Sequence, residues 1–185
     1  MVFYDLSTSD NNRNICFQCA EIDYDMSKQI LFGEVDNSNR IFQFSYYGGK
    51  NFTDILRPYG FVYLISSKLQ RILDENEISG FKLYDAELHL SNSEIRTDYK
   101  ILGITGRCNA SNKEHYDIIP VQNTYSGIWA NYYTNKKIYG WDGSDIFMAP
   151  NTLFIFINLK LRKILLREKI SNIHIESLKD IRVPM

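Results

Sequence analysis

Few residues in this chain combine a reactive type with a spacing that chemistry needs. Cys16-Phe17-Gln18-Cys19 is a CxxC, the pattern that in a loop or helical turn binds zinc or cycles between thiol and disulfide. Here Ile15, Phe17 and Cys19 alternate with Cys16, Gln18 and Ala20, the period of a strand, and residues three apart on a strand face opposite ways. No second CxxC or CxxH follows, so the pair reads as two strand cysteines and not as a metal site. His89, His115 and His174 lie far apart and none has HxxxH or HExxH spacing. Cys108 with His115 offers a nucleophile and a base, but no third group to orient them is identifiable. Asp142 and Asp145 form a carboxylate pair in Asp142-Gly143-Ser144-Asp145, and Asp23 and Asp25 form another. The first reads as a turn, in which Asp and Gly satisfy local backbone groups. Gly103-Ile104-Thr105-Gly106 lacks the Lys-Ser/Thr of a phosphate loop, and there is no GxSxG elbow. These residues predict no catalytic group, no metal and no cofactor. The enzyme alternative rests on Cys108 with His115, or on Asp142 with Asp145.

The elements that would position these groups follow from composition and periodicity. The chain has 185 residues, 44% hydrophobic and 14% aromatic, enough for a core without disulfide staples. A formal net charge of −1 argues against nucleic-acid binding, which needs clustered excess Lys and Arg. Lys160, Arg162, Lys163 and Arg167 interleave with Leu161, Ile164 and Leu165, as on the solvated face of a helix. Three cysteines do not build a disulfide framework, which favours a reducing compartment. The opening Met1-Val2-Phe3-Tyr4-Asp5-Leu6 has no basic leader region, and the apolar stretch Leu153 to Ile157 is too short to span a bilayer. The expectation is one cytoplasmic domain over residues 1–185 with no membrane partner.

Strands are predicted around residues 15–20 and over Arg40 to Tyr46, where Phe42, Phe44 and Tyr46 share a face. Phe61 to Ile65 reads as a buried strand. Ser66-Ser67 offers an N-cap, with Ser67 and Gln70 matching a capping box. Leu69, Ile72 and Leu73 form the apolar stripe of a short helix, and Gly80 suits a turn past its end. A strand over Phe81 to Leu90 follows. Its apolar phase flips between Phe81/Leu83 and Tyr84/Ala86/Leu88, which predicts a bulge.

The same order of residues returns near the C-terminus. Leu64–Leu83 aligns without a gap on Phe156–Ile175, with seven identities in twenty positions: Ile65/Ile157, Lys68/Lys160, Leu69/Leu161, Ile72/Ile164, Leu73/Leu165, Ile78/Ile170 and Ser79/Ser171. Ser66 faces Asn158, both capping types, and Gly80 faces Asn172, both tolerant of positive φ. The expected fold is α+β, a mixed or antiparallel sheet with short helices, containing two related strand–helix–strand units at about 61–90 and 153–178. Between them Tyr99 to Ile104 reads as a strand and Asn109 to Lys113 as a polar loop. Trp129, Tyr132, Tyr133, Tyr139 and Trp141 form an aromatic cluster. Tyr and Trp favour protein interfaces, although core packing claims many of them.

The pattern Val62-Tyr63-Leu64-Ile65-Ser66-Ser67-Lys68-Leu69 through Ile78-Ser79-Gly80-Phe81 resembles the immunity proteins of polymorphic toxin systems, of the immunity protein 11 or 43 kind. Two further stretches carry the resemblance in the same order: Tyr99-Lys100-Ile101-Leu102-Gly103-Ile104, and Trp141-Asp142-Gly143-Ser144-Asp145-Ile146-Phe147 with Phe154-Ile155-Phe156-Ile157-Asn158 through Ile170-Ser171-Asn172-Ile173. Together they span roughly the last two thirds of the chain. The resemblance implies a bacterial cytoplasmic antidote that neutralises a cognate toxin domain by stoichiometric binding, with no enzymatic activity. Some relatives carry paired CxxC metal motifs, and this chain has one. Polar context and turn placement nominate Tyr132, Tyr133, Asp142, Asp145, Asp23 and Asp25 as partner-binding residues. A carbohydrate- or cell-surface-binding module with exposed Trp and Tyr is a further reading, and the lack of an export signal counts against it.

Overall fold

The computed structural model describes residues 1–9, 13–36, 40–58, 60–110, 117–122, 129–134, 136–150 and 152–184. In chain order its elements are β1 (Phe3–Ser7), β2 (Cys16–Gln18), α1 (Tyr24–Leu31), β3 (Ile41–Gly48), β4 (Ile55–Leu56), β5 (Tyr63–Ser66), α2 (Ser67–Glu75), β6 (Phe81–His89), β7 (Ile95–Arg96) and β8 (Tyr99–Ile104). They continue with β9 (Gly106–Arg107), β10 (Asn109–Ala110), β11 (Asp117–Gln122), β12 (Trp129–Thr134), β13 (Ile138–Tyr139), β14 (Ile146–Met148), β15 (Ile155–Asn158), α3 (Leu159–Arg167), β16 (His174–Ser177) and β17 (Val183–Pro184).

The fold is α+β with mixed sheets and short helices. One sheet runs β2-β3-β6-β8-β5-β4, with β7 paired to β6. A second runs β16-β1-β15-β14-β9, a third β11-β12-β17, and β10 pairs with β13. Pairing is antiparallel except between β3 and β6 and between β14 and β9.

Alternation along the strands sends side chains into three cores. On β8, Leu102 and Ile104 enter a core shared with Ile155 and Ile157 of β15, while Tyr99 and Ile101 face a second core with Phe42, Phe44 and Leu88. The stripes Leu69/Ile72/Leu73 of α2 and Leu161/Ile164/Leu165 of α3 bury in the shared core. Phe156 turns the opposite way on β15, joining Phe147 and Cys108 in a third core. The phase flip on β6 has the same cause, and it corrects the expected bulge. The β6–β8 register is unbroken from Phe81↔Ile104 to Asp85↔Lys100. Phe81 and Leu83 pack on the shared core, whereas Tyr84, Ala86 and Leu88 fill the second. The bulge lies instead between β2 and β3, where Cys16 pairs with Gly48 and Phe17 with Tyr46. Tyr46 is 37% exposed while Phe42 and Phe44 are buried.

Of the Ser66-Ser67 pair expected to cap the helix, the cap is Ser66. Its Oγ accepts from the Leu69 amide, and Asn158 Oδ1 accepts likewise from Leu161. Gln70 does not close a capping box; its amide donates to the carbonyls of Ile65 and Asp98.

Around α2 and α3 the strand order and register correspond position for position. β5 lies between β4 and β8, with β6 beyond β8; β15 lies between β14 and β1, with β16 beyond β1. Tyr63↔Leu102↔Leu83 in the first sheet matches Ile155↔Leu6↔Ile175 in the second. β1, at the N-terminus, thus occupies the place that β8 holds in the other sheet.

Two carboxylates tie these sheets together. Asp54, just before β4, accepts from its own sheet through Ser66 Oγ (2.9 Å) and Lys68 Nζ (3.3 Å), and from beyond α3 through the amide (2.9 Å) and Oγ (2.8 Å) of Ser171. Asp145, just before β14, does the reverse. It accepts from Asn158 Nδ2 (2.7 Å) and Lys160 Nζ (3.3 Å) on its own side, and from the amide (3.0 Å) and Oγ (3.2 Å) of Ser79 beyond α2. Each lysine also reaches across, Lys68 to the Lys169 carbonyl and Lys160 to that of Glu77. Gly80, with φ +93°, has no room for a side chain, because a Cβ would stand 2.0 Å from the Ile146 carbonyl oxygen. Asn172 at φ +61° donates to the equivalent carbonyl of Ile55 at 2.7 Å.

Partial burial pushes both carboxyls up, but the serine, asparagine and lysine donors outweigh it and hold both below the ordinary carboxylate range. For a lowered pKa the stabilisation is complete above the unfolded-state value and is lost as pH falls through the folded-state one. Asp54→Asn and Asp145→Asn should each cost about 1–3 kcal/mol at neutral pH, because each leaves a serine amide without its ionised acceptor. The native protein's resistance to urea should fall below about pH 4, and the double variant should lose part of that acid dependence.

Candidate partner-binding surface

Asp23 starts α1. Its carboxylate accepts from the Met26 amide at 2.8 Å, in the role of an N-cap. Ile30 and Leu31 bury the inner face, and Ser27 is tucked under the helix with its hydroxyl donating to the Tyr24 carbonyl at 2.7 Å. The outward side carries Tyr24, Asp25, Lys28 and Gln29. Tyr24 is 58% exposed yet held in place. Its ring meets Phe61 edge-on with centroids 5.2 Å apart, and Lys28 Nζ lies 4.2 Å from its centroid. A cleft opens on each side of this tyrosine. One, of about 580 Å³, is lined by Gln18, Cys19, Asp23, Ser27, Ser45 and Tyr47 among others. The other, of about 530 Å³, is lined by Lys28, Gln29, Phe32, Glu34, Arg107 and Thr152, with Pro150 and Leu153.

The predicted site residues fall on separate elements. Asp23 and Asp25 flank Tyr24 on α1 and are exposed. Tyr132 sits half-buried on β12, opposite Ile119 and Pro184. Tyr133 pairs with Ile118 and Val183, and its side chain lies outside the described residues. On the same hairpin Ile118 (54%) and Trp129 (62%) are exposed. Asp142 is exposed in a turn and accepts from the amides of Arg107 (2.7 Å) and Ser144 (2.9 Å). Asp145 departs from the expectation of a surface residue. It is buried, and its carboxylate is spent on Ser79, Asn158 and Lys160. Among the described residues no hydrogen bond or ion pair joins the α1 acids to the hairpin. Sequence reasoning found Asp23 and Asp25 but passed over Tyr24 between them and Lys28 one turn on.

The groups available for chemistry are quiet. Cys108 is buried, and burial pushes its thiol up to about 11, so little thiolate exists at neutral pH. His115 lies outside the described residues. Cys16 and Cys19 are half-buried free thiols, each raised by burial. The Asp142 turn bonds and the Asp145 donors overcome partial burial and keep both acids ionised. Among the described residues no three His, Cys, Asp or Glu converge as a metal site. The buried titratable groups also include Asp5, pushed up by burial to about 6 and eased by the Lys136 charge, and Lys136, pushed down by burial to about 8. The Lys136 ammonium rests 3.7 Å from the Phe154 ring centroid.

A search of known protein families finds none that matches this chain, and a search of curated proteins finds no match either. What defines the protein is therefore its own architecture: an α+β fold presenting an ordered aromatic ridge between two open clefts. Among the described residues no helix is long and apolar enough to cross a membrane.

Thiol labelling tests these placements. In native buffer Cys16 and Cys19 should react with a disulfide reagent, and Cys108 should react only after unfolding. Fast native labelling that disappears in Cys108→Ser would contradict the buried position.

Proposed function

We propose that this protein is a cytoplasmic immunity protein that neutralises a cognate bacterial toxin domain by stoichiometric binding, without catalysis and without nucleic acid. The observation that carries the reading is the α1 surface. Tyr24 is a large amphipathic side chain already immobilised by Phe61 and Lys28, so little side-chain entropy remains to be lost on docking. Aromatic anchors beside pockets are where binding energy concentrates in protein interfaces. Exposed acids on either side, Asp23 and Asp25, provide the polar rim.

The resemblance to toxin-immunity proteins supports the same reading. Its motifs correspond to β5–α2–β6, to β8, and to β14–β15–α3, the frame that the Asp54 and Asp145 bonds hold together. The pairwise match of caps, positive-φ residues and strand register around α2 and α3 further supports two related units that arose by duplication. Such a frame suits a rigid binding scaffold.

Co-expression with the toxin domain encoded beside the gene tests the function. Cells should survive and the two proteins should co-purify. Tyr24→Ala should raise Kd at least about tenfold, the equivalent of about 1.4 kcal/mol, with the fold intact. Loss on Trp129→Ala or Tyr132→Ala instead would move the interface to the β11–β12 hairpin, which also carries Tyr133. No capture of any such domain, with the cells dying, would end the immunity reading.

A further inference from the structure

We propose that the cleft between α1 and the residues Pro150, Thr152 and Leu153 receives a carboxylate side chain from an acidic, partly apolar segment of the partner protein. This rests on the binding reading above and adds what the surface selects. Two cations line the cleft, Lys28 and Arg107, against one carboxylate, Glu34. Among the described residues neither cation has a carboxylate within ion-pair distance, while the exposed Arg40 and Arg71 and the half-buried Lys100 do.

Both cations are also fixed. The Arg107 guanidinium donates to the carbonyls of Ile104 (2.6 Å), Gly106 (2.9 Å) and Phe32, and lies 5.3 Å from the Phe32 ring centroid. Carbonyl acceptors orient a guanidinium without cancelling its charge. Of about five N–H donors on an arginine, these bonds leave about two for a ligand. Lys28 is steadied over Tyr24. A fixed, uncancelled guanidinium suits the planar carboxylate in both charge and donor geometry. The remaining wall, Phe32, Pro150 and the exposed Leu153, is apolar and fits a hydrocarbon neighbour of the acid.

The test is amide NMR on the full chain, titrated with the blocked tripeptide acetyl-Glu-Leu-Glu-amide, its Gln-Leu-Gln counterpart, and inorganic phosphate. The carboxylate peptide should shift the Lys28, Gln29 and Thr152 amides saturably and bind at least about fivefold tighter than the amide peptide. That preference should fade as salt shortens the screening length from about 10 Å to about 3 Å. Lys28→Glu should weaken binding about tenfold or more with the rest of the spectrum unchanged, and Glu34→Gln should tighten it. Equal affinity for the two peptides, no saturable shift with either, or binding of phosphate alone would overturn the proposal. If Lys28→Glu still captures the toxin with native affinity, the cleft is idle and this inference fails while the immunity reading stands. If the native chain captures no toxin, that reading fails and the peptide titration still judges the cleft.

Discussion

The fold depends on an exchange of hydrogen bonds between two aspartates that sit in front of different sheets. Each aspartate serves the helix cap of its own sheet and the serine that ends the turn of the other. The consequence is mechanical as well as electrostatic. α2 and α3 are short, and isolated helices of that length are marginal in water. Their persistence rests on the apolar stripe beneath them and on fixed ends. The Asp54 and Asp145 carboxylates each hold the N-cap of one helix and the turn that follows the other, and in doing so they join two sheets whose facing side chains make one core. Hydrogen bonds to ionised groups are stronger than neutral ones, which is why a few of them suffice here.

The sequence made the helices visible and hid their clasp. Gapless alignment of Leu64–Leu83 on Phe156–Ile175 exposed the stripes, the caps at Ser66 and Asn158, and the positive-φ positions Gly80 and Asn172. It stopped short of the aspartates because Ile55 pairs with Ile65 but Ile146 pairs with Ile157, so the second hairpin is one residue longer and the register breaks. Asp145 was therefore read as a surface turn residue, when its position before β14 turns it inward. β1 escaped for a topological reason. It fills the place of β8 from the opposite end of the chain, and no linear comparison sets Phe3–Ser7 against Tyr99–Ile104. The expected bulge on β6 failed because a strand buried on both faces breaks the rule that one phase is apolar and the other polar.

The surface was legible only in part. Asp23 and Asp25 announced an acidic helix start, but spacing does not show that Tyr24 is both exposed and held by Phe61 and Lys28. Arg107 could not be found from its neighbours, since its partners Phe32 and Ile104 belong to α1's end and to β8. The clasp and the surface are connected through this residue. Arg107 ends β9, its amide is held by Asp142, and Asp142 stands in the turn that leads to Asp145. A rigid frame thus fixes one wall of the cleft beside α1, and pre-arranged geometry of this kind lowers the cost of recognition.

The reciprocity itself can be measured by native-state hydrogen exchange at the Ser79 and Ser171 amides, in the native chain and in Asp54→Ala. If the two carboxylates hold one cooperative unit, deleting the Asp54 carboxylate speeds exchange at Ser79, which it does not touch, as well as at Ser171, and both amides open with the same free energy. Faster exchange confined to Ser171, with Ser79 as protected as before, would show two independent halves and contradict the account.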